Sequence, residues 1–371
     1  MANRGVSLDP HIFTIRDLKA AASKKLPRTI SEYFNEGSMD LITLRDNEDA
    51  FDRYKVRPRV LVDVTDIDMS TMIFGTKVSF PLGFAPAAMH KMAHEDGEIA
   101  TSRAAAKAGI CMALSTYATA SMEDVIAQKQ DNPYAFQMSL YINREATERL
   151  VRRAEAAGYK AIFLTVDAPV LGRRLNEYRN SFEPPEGLTF PNLSSDPSFS
   201  FVDASNEGLI NDRGVTWEAA ASWFRKRTKL EVWLKGIYTP EDVELAIRHG
   251  FDGVIISNHG GRQFDGAPAT LDALRECAPV AEGRIPIAID GGLRRGADIF
   301  KAIALGAKHC FVGRVPIWGL AYNGEHGVTL AISLLMEEFR LAMALAGCRS
   351  ISDIHRGRLS ILEPNGVLSK L

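Results

Sequence analysis

The run SNHGGRQ at positions 257–263 places a histidine and an arginine three residues apart, with two glycines between them. His259 can take a proton near neutral pH, and Arg262 can hold a carboxylate through two parallel hydrogen bonds. A second arginine, Arg174, ends the run VDAPVLGRR, which also contains Asp167. Two guanidinium groups and one base suit a small 2-hydroxy acid, with its carboxylate held and its hydroxyl deprotonated. Asp167 can pair with the histidine, orient its ring and stabilise its protonated form.

Glycines and arginines also follow two later apolar runs, in DGGLR (290–294) and GR (313–314). Glycine lets a phosphate approach backbone N–H groups closely, and arginine adds a two-point charged contact. Two tight turns with surface arginines would have the same sequence, so that interpretation stays open. A phosphate on one side of a ring of polar donors fits a phosphorylated flavin.

Eight short apolar runs, separated mostly by stretches of helical spacing, must position these groups. They span 82–89, 111–117, 134–141, 161–167, 231–237, 253–259, 285–292 and 309–314. Buried strands that alternate with helices predict a parallel sheet with crossover connections. An open doubly wound sheet would alternate in the same way, but the count of eight favours an α/β fold of the (β/α)8 type, a TIM barrel.

The carboxyl ends of the strands form the active site in such barrels. Seven of the eight runs end in hydrogen-bonding or charged groups. The residues at these ends are Ala87, Ala88, Ser115, Thr116, Gln137, Thr165, Asp167, Lys235, Ser257, Asn258, His259, Asp290, Gly313 and Arg314. A barrel end without function also meets solvent, so each residue alone indicates little. The whole set predicts a large ligand held by many short contacts.

Three regions are predicted around this plan. Residues 1–80 form a helical extension packed on the barrel, 81–350 form the barrel, and 351–371 form a C-terminal tail. The segment from about 168 to 215 is rich in proline, serine and glycine and breaks the alternation after the fourth strand. So long an irregular connection in a compact domain is typical of a lid over a site.

Composition argues against several classes of protein. Basic and acidic residues number 44 and 46, and the net charge of −2 gives no basic face for nucleic acid. No apolar stretch is long enough to span a membrane. The four cysteines are far apart and form no CxxC pair, so we expect neither a metal site nor disulfides.

The last three residues, Ser369-Lys370-Leu371, match a peroxisomal address. They predict a peroxisomal location and binding to the import receptor. The turn-forming residues Pro364-Asn365-Gly366 just before them predict an exposed tail.

The segments SNHGGRQ, LTVDAPVLGRR, DGGLRRG, VGR and RPRVLVDV (57–64) resemble signature segments of the FMN-dependent 2-hydroxy acid oxidase family. This family includes glycolate oxidase, lactate oxidase and the flavin domain of flavocytochrome b2. The resemblance extends from about residue 13 to 353. It implies a (β/α)8 barrel, non-covalent FMN and oxidation of an (S)-2-hydroxy acid to the 2-oxo acid, with dioxygen reduced to hydrogen peroxide. It also implies a homo-oligomer, often a tetramer.

Position by position, the resemblance implies roles for most of the strand-end residues. His259 corresponds to the general base and Asp167 to its partner. Arg174 and Arg262 correspond to the clamp for the substrate carboxylate, and Tyr33 to a tyrosine that contacts substrate from an N-terminal helix. The implied FMN ligands are Ala87, Ala88, Ser115, Gln137, Thr165, Lys235, Ser257, Asp290, Gly291, Gly292, Arg294, Gly313 and Arg314. Among them, Lys235 would lie beside N1 and the C2 carbonyl of the ring, and Asp290 at the ribityl hydroxyls. The phosphate would be bound by Gly292, Arg294, Gly313 and Arg314.

Two positions depart from the family pattern. The family usually has a tyrosine two residues after the glutamine of strand three, where this chain has Ser139; Tyr141 lies two residues further on. Its Pro-Thr-Ala after strand one is here Pro86-Ala87-Ala88, which removes one hydroxyl near the flavin. The serine leaves the substrate open. Because a missing phenol ring opens volume beside the flavin, we expect bulkier 2-hydroxy acids to be better substrates than glycolate.

Three alternatives remain open at this point. A dehydrogenase of the same family would pass electrons to a quinone or a carrier protein. A biosynthetic tailoring oxidoreductase would act on a larger substrate. A flavin-binding or structural protein would have lost the chemistry, but it would have no need of His259, Asp167, Arg174 and Arg262 together. Transfer of the hydrogen as a hydride, or after formation of a carbanion, is not decided by these residues.

Overall fold

The computed structural model describes residues 7–196, 198–199 and 201–371 of the chain. Its strands are β1 (Tyr54–Val56), β2 (Thr71–Ile73), β3 (Thr76–Val78), β4 (Leu82–Phe84), β5 (Cys111–Ser115), β6 (Tyr134–Met138), β7 (Ala161–Thr165), β8 (Glu231–Ile237), β9 (Gly253–Ile256), β10 (Ile287–Asp290), β11 (His309–Val312), β12 (Leu359–Leu362) and β13 (Leu368–Lys370). Strands β4 to β11 pair in chain order, and β11 pairs with β4 to close a parallel barrel. The predicted (β/α)8 barrel is confirmed, and the open doubly wound sheet is excluded.

Helices fill the connections between the strands. They are α1 (Ile15–Lys25), α2 (Arg28–Asn35), α3 (Ile42–Arg53), α4 (Gly97–Ala108), α5 (Met122–Ile126), α6 (Arg144–Ala157), α7 (Leu175–Arg179), α8 (Phe201–Asn206), α9 (Trp217–Arg225), α10 (Pro240–Arg248), α11 (Thr270–Ala281), α12 (Gly296–Leu305) and α13 (Arg314–Ala346). Helix α13 is broken at Asn323 and Gly324, whose backbone angles are not helical. None of the described helices is long and apolar enough to cross a membrane.

Local capping explains where several of these helices begin. Helix α10 starts at a proline, and the side chain of Thr239 before it accepts a hydrogen bond from the Asp242 N–H at 3.2 Å. Asn143 caps α6 in the same way, through the Ala146 N–H at 3.0 Å. Such caps satisfy backbone donors that the first helical turn leaves without partners.

The barrel interior is a buried layer of small and aromatic side chains. Alternate strand residues such as Ala113, Ala135 and Ala161 leave space for Phe163 and Trp233. Beneath them, Phe74 from the β2–β3 hairpin lies edge-on to Trp233, with ring centres 5.3 Å apart. The barrel is therefore packed below the strand ends where the site lies.

Helices account for the predicted N-terminal extension only as far as Arg53, and its first six residues lie outside the described part. Residues 54–56 instead form β1, which pairs antiparallel with β12 near the C-terminus. The fully buried Tyr54 anchors this strand, because its hydroxyl donates to Asp272 at 2.8 Å. A pairing with a strand three hundred residues away leaves no local signal, so the helical prediction for this part was wrong.

The predicted lid is a long connection between β7 and α9, but it contains the short helices α7 and α8. Positions 197 and 200 of this segment lie outside the described residues. Its return end is held to the barrel, since the Ile142 N–H donates to the Ile210 carbonyl at 3.0 Å and Asp212 N–H to the Leu140 carbonyl at 2.8 Å. The lid therefore covers the chain that follows β6.

The C-terminal tail forms a hairpin rather than a free end. Ser369 pairs with Ile361 and Lys370 with Ser360 in the β12–β13 ladder, and residues 364–366 form the turn. Residues 364–368 and Lys370 are exposed, as the turn sequence predicts, and Pro-Asn-Gly forms an ordinary hairpin turn between β12 and β13. The peroxisomal address itself stays a prediction. The four cysteines are buried and unpaired, and no cluster of metal-binding side chains occurs among the described residues.

Candidate active site

His259 and Asp167 form a pair at the mouth of the barrel, one after β9 and the other after β7. His259 Nδ1 lies 3.1 Å from Asp167 Oδ1 and 3.2 Å from Oδ2, which leaves Nε2 to face a ligand. Burial alone would raise the pKa of Asp167. The charge of His259 and its hydrogen bond, together with the charge of Lys235, outweigh burial and hold that pKa below its ordinary value. Asp167 is therefore a fixed anionic acceptor that orients the ring.

A left-handed turn presents the histidine. The φ angles of His259, Gly260 and Gly261 are 56°, 65° and 75°. Glycine adopts this conformation at no steric cost, but a histidine there is strained, which is common at functional sites. The His259 N–H donates to Ser257 Oγ at 3.2 Å and helps to hold the turn.

Two amide side chains hold this turn in place. Asn258 exchanges a pair of hydrogen bonds with Asn47 of α3, at 2.8 and 2.6 Å. Gln263 accepts from the Gly172 N–H at 2.8 Å and donates to the Asp167 carbonyl at 2.9 Å, so it binds the start of the lid to the turn. Neither Asn47 nor Gln263 was assigned a role from the sequence, because their partners lie far away along the chain.

A buried chain of polar groups occupies the centre of the mouth. Lys235 Nζ donates to Ser257 Oγ at 2.9 Å, and that hydroxyl donates to Asp290 Oδ1 at 2.6 Å. Lys235 Nζ also lies 3.2 Å from Asp290 Oδ2. Burial would lower the pKa of Lys235, but the charges of Asp290 and Asp167 raise it above the ordinary value. Lys235 therefore stays a cation inside the barrel, as a group beside an anionic ring must.

Gly236 brings Lys235 and Asp167 together. The β8–β9 pairing shifts register between Lys235 and Ile237, and Gly236 has φ 113°. A Cβ at Gly236 would lie 2.5 Å from the Asp167 Cβ. Only glycine lets Asp167 pack directly on this bulge.

Of the four residues predicted to bind the substrate, which include Ser139, three meet beside the lid: Tyr33, Arg174 and Arg262. The Arg262 guanidinium lies 4.9 Å from the centre of the Tyr33 ring and donates to the Tyr33 backbone carbonyl. Arg174 Nη1 lies 3.2 Å from Glu177 Oε1, and Arg262 Nη2 lies 3.4 Å from the same oxygen. The sequence contained a signal for Glu177, the three-residue spacing from Arg174, but this spacing is common in helices and was not assigned a role.

The arginines at the mouth form a strongly positive region. Burial, followed by the charge of Arg174, lowers the pKa of Arg262 to about 10. Burial, followed by the charges of Arg262 and Arg294, lowers the pKa of Arg314 to about 9. All of them remain cations at neutral pH. Such a concentration of positive charge attracts an anionic ligand.

The two arginines predicted to bind phosphate contact protein groups in this structure. Arg294 Nη2 lies 3.1 Å from Glu48 Oε1. Arg314 donates to three backbone carbonyls, those of Phe34 at 2.8 Å, Glu36 at 2.9 Å and Gly260 at 2.9 Å. Their role at a phosphate therefore stays a prediction.

The structure explains the glycines near these arginines, Gly291, Gly292 and Gly313, in different ways. A Cβ at Gly292 would lie 1.9 Å from the Asn47 carbonyl, so close packing on α3 requires this residue. A Cβ at Gly313 would have only Ala85 within 4 Å, at 3.9 Å. Gly313 precedes the first turn of α13, where free N–H groups favour an anion. The open space and the helix end fit a phosphate at Gly313, whereas Gly291, with φ 92°, mainly makes the turn after β10.

The remaining predicted flavin residues line the other side of the mouth. Gln137 Nε2 donates to Thr165 Oγ1 at 3.0 Å, which joins the ends of β6 and β7. Ser115 ends β5, and its hydroxyl accepts from a backbone N–H two residues on, at 3.1 Å. Ala87 and Ala88 follow β4 and are half-buried. Short side chains here leave room for a flat ring above the barrel core.

Ser139 lies just beyond β6 and is buried, with 7% of its surface exposed. Tyr141 is fully buried, and its backbone forms a bridge with Asn211 of the lid. Burial, with Tyr117 nearby, raises the pKa of Tyr141 well above its ordinary value. Tyr141 is therefore fixed under the return end of the lid and does not restore an exposed phenol at position 139.

Comparison with known proteins agrees with this geometry. The family described as FMN-dependent dehydrogenase matches residues 22–361. The chain belongs to this family. It is 53% identical to Oxidase FUB9 of Fusarium oxysporum f. sp. lycopersici over 369 residues, which cover 98% of this chain and 95% of that protein.

Two further proteins place the chain within the family. It is 45% identical to the glycolate oxidase of Spinacia oleracea over 355 residues, which cover 94% of this chain and 96% of the relative. A mandelate oxidase variant solved with (S)-mandelic acid has a TM-score of 0.85 at 38% identity, covering 94% of this chain and 98% of that one. The resemblance to 2-hydroxy acid oxidases and the FMN cofactor are thus confirmed.

The described residues fit an FMN. Lys235, Ser257 and Asp290 would hold the ring and the ribityl chain, and the N-terminus of α13 at Gly313 would receive the phosphate. Gln137, Thr165 and Ser115 would face the polar edge of the ring. When bound, FMN supplies an acceptor for two electrons.

Proposed function

We propose that this protein is an FMN-dependent oxidase of a 2-hydroxy acid larger than glycolate, acting as a tailoring enzyme in biosynthesis. The observation that carries the reaction class is the His259–Asp167 pair at 3.1 Å, on the same barrel edge as Arg174 and Arg262. To oxidise a 2-hydroxy acid, a protein must bind the carboxylate and remove a proton.

The residues divide the reaction between them. Arg174 and Arg262 hold the substrate carboxylate, which places the hydroxyl at His259 Nε2. His259 takes the hydroxyl proton, and Asp167 stabilises the imidazolium that forms. The buried cation Lys235 offsets the negative charge that accumulates beside it as two electrons leave the substrate. The Cα–H bond of the substrate also breaks, and its hydrogen leaves with the electron pair for the two-electron acceptor that FMN would supply. The organic product is the 2-oxo acid.

The size of the substrate is inferred from Ser139. A serine replaces the tyrosine that the resemblance leads us to expect, and Tyr141 is held elsewhere. The loss of a phenol ring leaves volume beside the flavin for a longer or aromatic side chain. Identity to the FUB9 oxidases, 53 and 54%, exceeds the 45% identity to spinach glycolate oxidase, which supports an oxidase other than a glycolate oxidase.

The proposed electron acceptor is dioxygen, which would yield hydrogen peroxide. Relatives that are named oxidases support this choice over a quinone or a carrier protein. One molecule of peroxide per molecule of 2-oxo acid is expected in air. Turnover that requires an added quinone would favour the dehydrogenase alternative instead.

Exchange of Ser139 tests the size of the substrate. In Ser139→Tyr, the ratio of kcat/KM for a 2-hydroxy acid with an aromatic side chain to that for glycolate should fall by about 10- to 200-fold, the range that pocket volume controls. Ser139→Ala, which keeps the space, should retain the parent's ranking. The same ranking in the tyrosine variant would show that Ser139 does not set the pocket.

A peroxisomal location and a homo-oligomer stay predictions. The location rests on the terminal tripeptide, and the homo-oligomer rests on the family resemblance.

A further inference from the structure

Glu177 lies on the lid helix α7 and contacts both arginines of the substrate clamp. One of its oxygens, Oε1, is 3.2 Å from Arg174 Nη1 and 3.4 Å from Arg262 Nη2. The side chains of the two arginines are 12 and 14% exposed, and that of Glu177 is 26% exposed. A carboxylate from the protein thus lies between two largely buried guanidinium groups.

The simplest account of Glu177 is an ordinary helical ion pair, since it follows Arg174 by three residues. That account does not explain Arg262, which belongs to the turn after β9. Glu177 joins a lid residue and a barrel residue through a single oxygen. Among the ion pairs of the described residues, it is the carboxylate partner of both arginines.

The charges explain why an anion is stable at this position. The charge of Arg174 adds to burial in lowering the pKa of Arg262, whereas the charge of Glu177 raises it. Two guanidinium groups side by side repel each other unless an anion lies between them. A substrate carboxylate would meet the same need with the same geometry.

We propose that Glu177 is a resident carboxylate that competes with the substrate for Arg174 and Arg262. The proposal rests on the proposed function, in which this pair of arginines holds the substrate carboxylate. Binding of substrate then exchanges one carboxylate for another at the clamp. Glu177 thereby sets the affinity for substrate and selects for ligands that carry a full negative charge.

The exchange also acts on the lid. Besides Glu177, α7 and the residues after it are held by Asn180, whose Nδ2 donates to Glu32 at 2.7 Å, and by Phe182, which stacks on Tyr33 with centres 4.6 Å apart. The Asn180–Glu32 contact joins the lid to α2 without contacting the arginines, whereas Tyr33 also contacts Arg262. Release of Glu177 therefore frees one of several attachments, and the lid stays on α2 while the clamp takes the ligand.

Calorimetric titration of the FMN-loaded protein tests the competition without catalysis. The ligands are phenylpyruvate, an inert 2-oxo acid, and its neutral methyl ester. Glu177→Gln should bind the acid about fivefold or more tightly than the parent, in the usual range of coupling between two sites. Binding of the ester should change less than twofold, because a neutral ester does not replace a carboxylate.

Glu32→Gln is the matched control, since it weakens an attachment of the lid without altering the clamp. Its affinity for the acid should equal that of the parent. Should Glu177→Gln fail to fold, Glu177→Asp can replace it, because its side chain is shorter by one methylene. This variant should also bind the acid more tightly than the parent, by a smaller factor. Unchanged or weaker binding of the acid in the folded variant would overturn the proposal, and weaker binding would show that Glu177 only orders the arginines.

The outcome is separable from that of the proposed function. If 2-hydroxy acids fail to reduce the flavin while Glu177→Gln still binds phenylpyruvate more tightly than the parent, the proposed function is wrong and the competition stands. If neither parent nor variant binds the acid, both are wrong.

Discussion

At the residue scale, the chemistry depends on which nitrogen of His259 faces the substrate. Asp167 binds Nδ1 through both carboxylate oxygens, at 3.1 and 3.2 Å, and thereby fixes the orientation of the ring. The backbone of His259 is left-handed, with φ 56°. The strained backbone and the carboxylate together fix one working orientation.

His259→Gln should retain FMN but lose flavin reduction by substrate. A glutamine can fill the position and hydrogen-bond to Asp167, but it cannot take a proton at neutral pH, and loss of a general base costs about 10²–10⁴-fold in rate. Stopped-flow measurement of flavin reduction without oxygen gives the rate directly. His355→Gln, at an exposed histidine outside the site, should reduce at the parent rate. Reduction of the His259 variant at the parent rate would refute its role as the base.

Arg174→Met and Arg262→Met should each weaken binding of the 2-oxo acid product. Loss of one partner from a desolvated charge pair costs about 2–5 kcal/mol. Arg173→Met is the control, because the Arg173 guanidinium lies over the Tyr178 ring, 5.2 Å from its centre. Product affinity and FMN content are measured in parallel. A loss of FMN with unchanged product affinity would assign these arginines to the cofactor instead.

The sequence predicts which residues lie together at the barrel mouth, but not their supporting contacts. His259, Arg262 and Asp167 stand out because their residue types together suit the chemistry of a 2-hydroxy acid. Glu177 and Asn47 do not stand out, because a glutamate in a short helix and an asparagine in a polar helix are ordinary. Their significance depends on contacts that only the fold creates.

At the element scale, the bulge in β8 positions two groups of the site. Gly236 turns the strand so that Lys235 points into the mouth and Asp167 packs against the backbone. The strand ends themselves follow from the alternation of apolar runs and helices, which is why the barrel could be predicted. The bulge could not, since a glycine within an apolar run has several structural explanations.

Gly236→Ala should lower both stability and the rate of flavin reduction. Its φ of 113° is unfavourable for alanine, and its Cβ would lie 2.5 Å from that of Asp167. We expect a loss of about 1–3 kcal/mol, the usual cost of a forced shift in a packed region. Gly266→Ala is the control, with φ 88° but nothing within 4 Å of the added Cβ. If Gly236→Ala and Gly266→Ala had equal effects on thermal unfolding and on the reduction rate, backbone strain and not the contact with Asp167 would be responsible.

The pairing of β1, β12 and β13 shows the limit of prediction for elements. Each strand is three or four residues long, and the pairing joins residues near both ends of the chain. Short strands carry too few residues for a clear alternation, so helix and loop were equally compatible with these segments.

At the scale of the whole molecule, the buried ion pairs make stability depend on pH. The pKa of Asp167 is lower in the folded protein than its ordinary value of 3.8. Its contribution is therefore fully present above about pH 4 and is lost as pH falls through the lower folded value.

Asp167→Asn should be less stable than the parent at pH 7, by about 1.5–3 kcal/mol for a hydrogen bond to a charged group. The difference should shrink as pH falls below 4, because the parent carboxylate then becomes protonated. Denaturant unfolding at several pH values measures the difference in stability at pH 7 and its change with pH. Asp66→Asn, at an exposed carboxylate, should match the parent throughout. A constant difference across the pH range would contradict the assigned ionisation of Asp167.

The most direct test of the proposed function is an anaerobic titration of the FMN-loaded protein with a graded series of 2-hydroxy acids, the chiral members as their (S) enantiomers. Glycolate, lactate, a long-chain acid and mandelate differ in the side chain while keeping the carboxylate and hydroxyl that the site requires. We predict bleaching of the flavin absorbance by these acids, faster for the long-chain or aromatic members than for glycolate. A flavin that none of the acids reduces would contradict the proposed reaction, and fastest reduction by glycolate would contradict the proposed size of the substrate.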